Sequence, residues 1–70
     1  MPDFQVRDDS AGLAIYAAMN ALDALKAYAA DRVLAANRLG LSIDVGTIDS
    51  NDAGSATVVI DGVTHTAMRV

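Results

Sequence analysis

The first half of the chain carries apolar residues at alternating spacings of three and four, which is the period of an amphipathic helix. Arg32 interrupts this seam once. No proline or glycine occurs from Leu13 to Leu39, and alanine dominates the stretch. The seam consists of Ile15, Ala18, Leu22, Leu25, Ala29, Ala36 and Leu39. The pattern predicts one continuous helix over residues 10–39.

Residues with capping chemistry lie at both ends of this predicted helix. Asp8, Asp9 and Ser10 precede it, and each has a side-chain oxygen that can accept from the N–H groups of a first helical turn. Arg38 suits the negative end of the helix dipole, and Gly40 suits the left-handed residue that often ends a helix.

After Gly40 the hydrophobic period changes to two, which predicts strands over Leu41–Val45, Ser55–Asp61 and Val63–Val70. The pair Asp61-Gly62 between apolar runs favours a two-residue type I′ hairpin turn. Such a turn pairs Ile60 with Val63, Val58 with His65 and Ala56 with Ala67. A polar turn over Asp49–Gly54 pairs Ile48 with Ser55, Val45 with Val58 and Ile43 with Ile60.

The sequence therefore predicts a single α+β domain over residues 1–70, with one long N-terminal helix on a three-stranded antiparallel meander at 41–70. Phe4 to Arg7 alternates apolar and polar residues. Residues 1–8 are therefore either a frayed arm or carry a short extra strand.

Composition narrows the functional classes. The chain has 70 residues, a net charge of −4, no cysteine and 53% apolar residues. Five scattered basic residues argue against nucleic-acid binding, and charges inside the helix argue against a membrane span. We expect a cytoplasmic protein without a signal peptide. A small, apolar chain without disulfides favours oligomerisation.

A second face of the predicted helix combines small, aromatic and polar residues. We expect a homodimer in which two such helices pack antiparallel about Ala24, unless the alanines simply face water. The predicted interface consists of Leu13, Tyr16, Ala17, Asn20, Ala24, Ala27, Tyr28, Asp31, Leu34 and Ala35.

Candidate chemistry is sparse. His65 is the only histidine, and a core-edge histidine bonded to a carbonyl or water explains it better than a metal ligand. A ligand pocket at the subunit interface is predicted from Tyr16, Asn20, Tyr28 and His65. The run Asp49–Gly54 is similar to the start of a calcium loop, but its fifth position is alanine, so we interpret it as turn chemistry.

These observations predict a binding protein rather than an enzyme, with no cofactor and no metal. We expect a homodimeric regulator or inhibitor that binds a larger protein, of the kind that phage or mobile elements often encode. The alternative is a protein that binds or sequesters a small ligand between its subunits.

Overall fold

One helix packs on one face of a five-stranded antiparallel sheet in the computed structural model, which describes residues 1–51 and 54–70. The elements are β1 (Asp3–Arg7), β2 (Gly12–Ala17), α1 (Ala21–Arg38), β3 (Asp49–Ser50), β4 (Ala56–Ile60) and β5 (Val63–Arg69). The strand order is β2-β1-β5-β4-β3. The α+β class is as predicted, but the sheet has five strands instead of three and the helix follows two of them.

The main correction concerns residues 10–20, which are not helical. Gly12–Ala17 forms β2, which pairs with β1 in a hairpin. The Asp8 carboxylate accepts from the N–H groups of Ser10 (2.8 Å) and Ala11 (2.9 Å). These bonds hold the pKa of Asp8 below its usual value. Asp8 therefore does what a helix cap does, but it closes the turn of a hairpin.

The helix begins instead after Asn20, whose side-chain oxygen accepts from the N–H of Asp23 at 2.8 Å. Asn20 has extended backbone angles, as a capping residue should, and Asp23 places an acidic group in the first turn. An Asn followed three residues later by an acidic residue is a start signal that the sequence does contain.

The predicted C-terminal end of the helix is confirmed. Gly40 has φ +73°, and its N–H donates to the carbonyl of Asn37 at 3.1 Å. The N–H of Leu41 reaches the carbonyl of Ala36 at 2.9 Å. This pair of bonds is the Schellman arrangement, which satisfies the last carbonyls of the helix.

The hairpin between β4 and β5 is also confirmed, with its register. Ile60 pairs with Val63, Val58 with His65 and Ala56 with Ala67. Asp61 and Gly62 have φ values of 50° and 82°, which is the positive pair that a type I′ turn requires.

The predicted strand Leu41–Val45 is wrong, because only Val45 forms a bridge, with Ile60 rather than with Val58. Asp61 explains the difference. Its carboxylate accepts from the N–H of Asp44 at 2.9 Å, and its own N–H donates to the Asp44 carbonyl at 2.9 Å. The chain then passes so close to β4 that a Cβ on Gly46 would meet the Val59 carbonyl oxygen at 3.2 Å.

The other predicted pairings of this hairpin are shifted as well. Short β3 pairs Asp49 with Thr57 and Ser50 with Ala56, where the sequence predicted Ile48 with Ser55. The predicted polar turn Asp49–Gly54 includes Asp52 and Ala53, which lie outside the described residues.

The undecided N-terminal segment is a strand, and it lies inside the sheet, second from one edge. β1 pairs with β2 on one side and with β5 on the other. Phe4 and Val6 point toward the helix and are buried. The core lies between α1 and β1, β4 and β5, where Ala24, Leu25, Val6 and Ala67 are fully buried. No helix in the described part of the chain has the length and apolarity that a membrane span requires.

The helix start can be tested with two substitutions to alanine. Asn20→Ala removes the acceptor for the Asp23 N–H, so we expect it to lower the free energy of unfolding by about 1 kcal/mol. Asp9→Ala is the matched control, because a helix starting at residue 10 would use this acidic residue near its N-terminus. We expect Asp9→Ala to change stability by less than about 0.5 kcal/mol. Urea unfolding followed by circular dichroism measures both, and a larger effect at Asp9 would contradict the observed start.

Candidate functional site

Three of the four residues predicted to line a pocket lie together between α1, β2 and β5. The rings of Tyr16 and Tyr28 meet edge to face with centroids 6.3 Å apart. The rings of Tyr28 and His65 are tilted by 36° at 5.6 Å. Tyr28 and His65 are only 6% and 7% exposed. The three rings therefore pack against one another, as aromatic groups in a core do.

The hydroxyl of Tyr16 ties β2 to the helix. It donates to the carboxylate of Asp31 at 2.6 Å. Partial burial and this carboxylate together raise the pKa of Tyr16 to about 12. The phenol is therefore held in its protonated form, in which Tyr16 donates to Asp31.

His65 lies at the edge of the core and contacts a backbone carbonyl, as the sequence predicted. Its Nδ1 atom is 2.9 Å from the carbonyl oxygen of Val63. A carbonyl can only accept, so this nitrogen carries a proton and donates. In the neutral ring Nε2 is then the acceptor. The contact fixes the orientation of the ring next to Tyr28.

Asn20, the fourth predicted pocket residue, lies two helical turns before Tyr28 and caps the helix. It borders an open cleft of about 440 Å³ between the helix start and the ends of β1 and β5. The cleft is also lined by Pro2, Phe4, Met19, Met68 and Arg69. The predicted pocket residues therefore do not surround one cavity within a single chain.

The fold separates the residues that were predicted to join two helices into a buried group and an exposed group. Ala24 and Tyr28 are buried against the sheet of their own chain, so a helix pair centred on Ala24 is wrong. Tyr16 is half-buried in β2. The remaining residues are exposed: Leu13, Ala17, Asn20, Ala27, Asp31, Leu34 and Ala35. Leu13 and Ala17 belong to the β2 edge instead of the helix.

The largest feature that the sequence analysis did not propose as a site is the open face of the sheet. Side chains alternate along a strand, so the residues between those under the helix point away from it. Gln5 pairs with Ile15 on one side and with Met68 on the other, which makes an apolar row with an amide at its centre. Ile15 is 61% exposed and Met68 is 52% exposed.

Two further rows continue this open face. Arg7, Thr66, Thr57 and Asp49 follow one another across β1, β5, β4 and β3. This row has a cation at one end and a carboxylate at the other. The next row pairs Thr64 with Val59, which is 46% exposed. The sequence analysis had placed Ile15 of this face in the predicted helix.

Residues 1–51 and 54–70 contain no cluster of three or more His, Cys, Asp or Glu side chains that could hold a metal ion. Comparison with protein-family models, with curated proteins and with solved structures found no match to this chain.

The bond between Tyr16 and Asp31 predicts a loss of stability in alkali. The pKa of this phenol is raised from 10.0 to about 12 in the folded protein. A raised pKa means that the stabilisation is complete below pH 10 and is lost as the pH rises from 10 to about 12. We expect Tyr16→Phe to lower the free energy of unfolding by about 1 kcal/mol at pH 8, and this deficit to shrink above pH 10.

Urea unfolding of both proteins between pH 8 and pH 11.5 measures the difference. Asp31→Asn is a useful control, because it keeps an acceptor oxygen but removes the charge that raises the phenol pKa. We expect its alkaline loss to begin at the same pH, which the unfolded phenol sets, but to be smaller and to end at a lower pH than that of the wild type, because the pKa of the folded phenol is raised less. Parallel curves for wild type and Tyr16→Phe would contradict the assignment.

Proposed function

We propose that this protein is a non-catalytic protein–protein interaction module, a homodimeric regulator or inhibitor that binds a larger protein. The observation that carries the proposal is the sheet face opposite the helix, where Ile15, Met68 and Val59 are all about half exposed or more. Surfaces that combine clustered apolar residues with polar neighbours mark protein contact sites. A cytoplasmic location belongs to the same proposal.

The chemistry of the open face suits a protein partner. Its middle row offers two threonine hydroxyls between Arg7 and Asp49, and its outer rows offer apolar contacts. Hydroxyl groups adapt to many hydrogen-bond geometries, because they both donate and accept. The face also sits on a regular sheet whose opposite side is fixed by the helix, so little order is lost when a partner binds.

The small-ligand alternative has less support. Its residues Tyr16, Tyr28 and His65 fill space by contacting one another, and Asn20 lies apart from them. An enzyme has less still, since the Tyr16 hydroxyl is held protonated and the histidine is packed under a tyrosine ring.

The proposal is tested by capture from lysate of the native host with matched variants. Val59→Glu places a charge in the open face, whereas Val33→Glu places the same charge on the exposed surface of the helix. We expect the wild type and Val33→Glu to retain the same larger protein, and Val59→Glu to retain about tenfold less of it, because an unpaired charge would be buried against the partner.

Thermal melting of each variant is the folding control. Glutamate on an exposed strand position costs about 1 kcal/mol or less, so Val59→Glu is expected to fold. Equal capture by all three proteins, or no captured protein with any of them, would contradict a partner site on this face.

A further inference from the structure

We propose that two copies of this chain join through their β2 edges, so that the sheet continues from one subunit into the other as ten antiparallel strands. This inference rests on the homodimer of the proposed function and names its interface. The strand order puts β2 at one edge of the sheet. Within the described residues, β2 pairs on its β1 side alone, so its other side presents backbone N–H and C=O groups without strand partners.

The two edges of the sheet differ in how they meet solvent. β3 closes one edge with only two residues, one of them Asp49. β2 closes the other with six residues, Gly-Leu-Ala-Ile-Tyr-Ala, which include neither a charge nor a proline. Soluble monomers usually protect a long edge with charged residues, proline or a bulge. The irregularity in β2 lies opposite Val6 and Arg7, at the start of the strand, and Ala14–Ala17 remains regular.

The side chains of β2 fit a second copy of the same strand. Residues directly opposite in an antiparallel pair share a face of the sheet. A two-fold axis normal to the sheet must therefore lie midway between one residue and the same residue of the second copy. With the axis at Ile15, Tyr16 lies opposite Ala14 of the second copy and Leu13 lies opposite Ala17. Each large side chain then meets a small one, and Ile15 meets its own copy.

The helix adds a second layer to this interface. Tyr16 is bonded to Asp31, so this flank of α1 lies over β2. Ala27 and Leu34 are one turn from Asp31 on either side, share its flank and are exposed. A two-fold axis normal to the sheet brings the flanks of the two helices side by side and antiparallel. This interface therefore contains Leu13, Ala17, Ala27 and Leu34 of the interface predicted from the sequence, but not the buried Ala24.

A matched pair of lysine substitutions tests the edge. Ile15 and Met68 flank Gln5 in the same row, point to the same face and have similar exposure. Only Ile15 is on an edge strand. Light scattering of the wild type is expected to give a dimer. Ile15→Lys brings two like charges together, so we expect the dimer dissociation constant to rise by about tenfold or more. Met68→Lys is expected to stay dimeric.

Two further measurements address the axis itself. An equimolar mixture of Ile15→Lys and Ile15→Glu is expected to restore the dimer as a heterodimer, because opposite charges then meet. Ile15→Cys is expected to form a disulfide between subunits upon oxidation, and Met68→Cys is not. The chain has no other cysteine, so the crosslink reports this position alone. The crosslink also decides the matter if Ile15→Lys does not fold.

A dimeric Ile15→Lys without the Ile15→Cys crosslink would overturn the β2 interface but leave a homodimer through another surface. A monomeric wild type would overturn both the interface and the dimeric part of the proposed function. In that case the capture experiment shows whether the edge binds another protein. If Ile15→Lys no longer captured a larger protein and Val59→Glu still did, the β2 edge would pair with a strand of that protein. The oligomeric state alone does not change what Val59→Glu reports about the open face, whereas retained capture by Val59→Glu would contradict a partner site there.

Discussion

The structure depends on the close contact between one helix and the three central strands of the sheet. Ala24 and Leu25 of α1, Val6 of β1 and Ala67 of β5 are fully buried in this layer. Alanines on both sides let the helix approach the sheet, and Leu25 is the largest fully buried side chain on the helix side. This contact buries one face of the helix and one face of the sheet, so it also determines which surfaces stay exposed. The whole second face of the sheet and the outer half of the helix are left to solvent or to a partner.

Local chemistry predicted the parts of the fold that are formed by neighbouring residues. Gly40 ends the helix through bonds within five residues, and Asp61-Gly62 fixes the last hairpin through its own φ angles. The helix start was missed because Asp8 offers the same acceptor to a helix and to a hairpin turn. β2 was missed because Leu13, Ile15 and Tyr16 give apolar residues on both faces, so the strand has no period of two.

The position of β1 in the sheet could not be predicted from the sequence for a different reason. Its five residues carry a strand pattern. Their location inside the sheet, between β2 and β5, depends on pairing with residues 66–69 at the other end of the chain. No local signal encodes that contact. The open face and the edge position of β2 in the five-stranded sheet follow from it, since β1 then has a partner on each side and β2 has one. Of the candidate site, the sequence grouped Tyr16, Tyr28 and His65 as the lining of a pocket between subunits, whereas their rings pack against one another within one chain. The surfaces around them were not predicted.

The distribution of large apolar side chains connects the fold to assembly. Among the described residues, the largest fully buried side chains are only Leu25, Val6 and Val58. Twelve large hydrophobic residues in the same described part of the chain are exposed, from Met1 and Leu13 to Val70. A 70-residue chain with so small a core has little stability to spare, and covering apolar surface contributes roughly 25 cal/mol for each Å² removed from water. Burial of this surface between subunits or against a larger partner would therefore add the most to the stability of the fold. The helix of the same chain covers one face of the sheet and cannot reach the other.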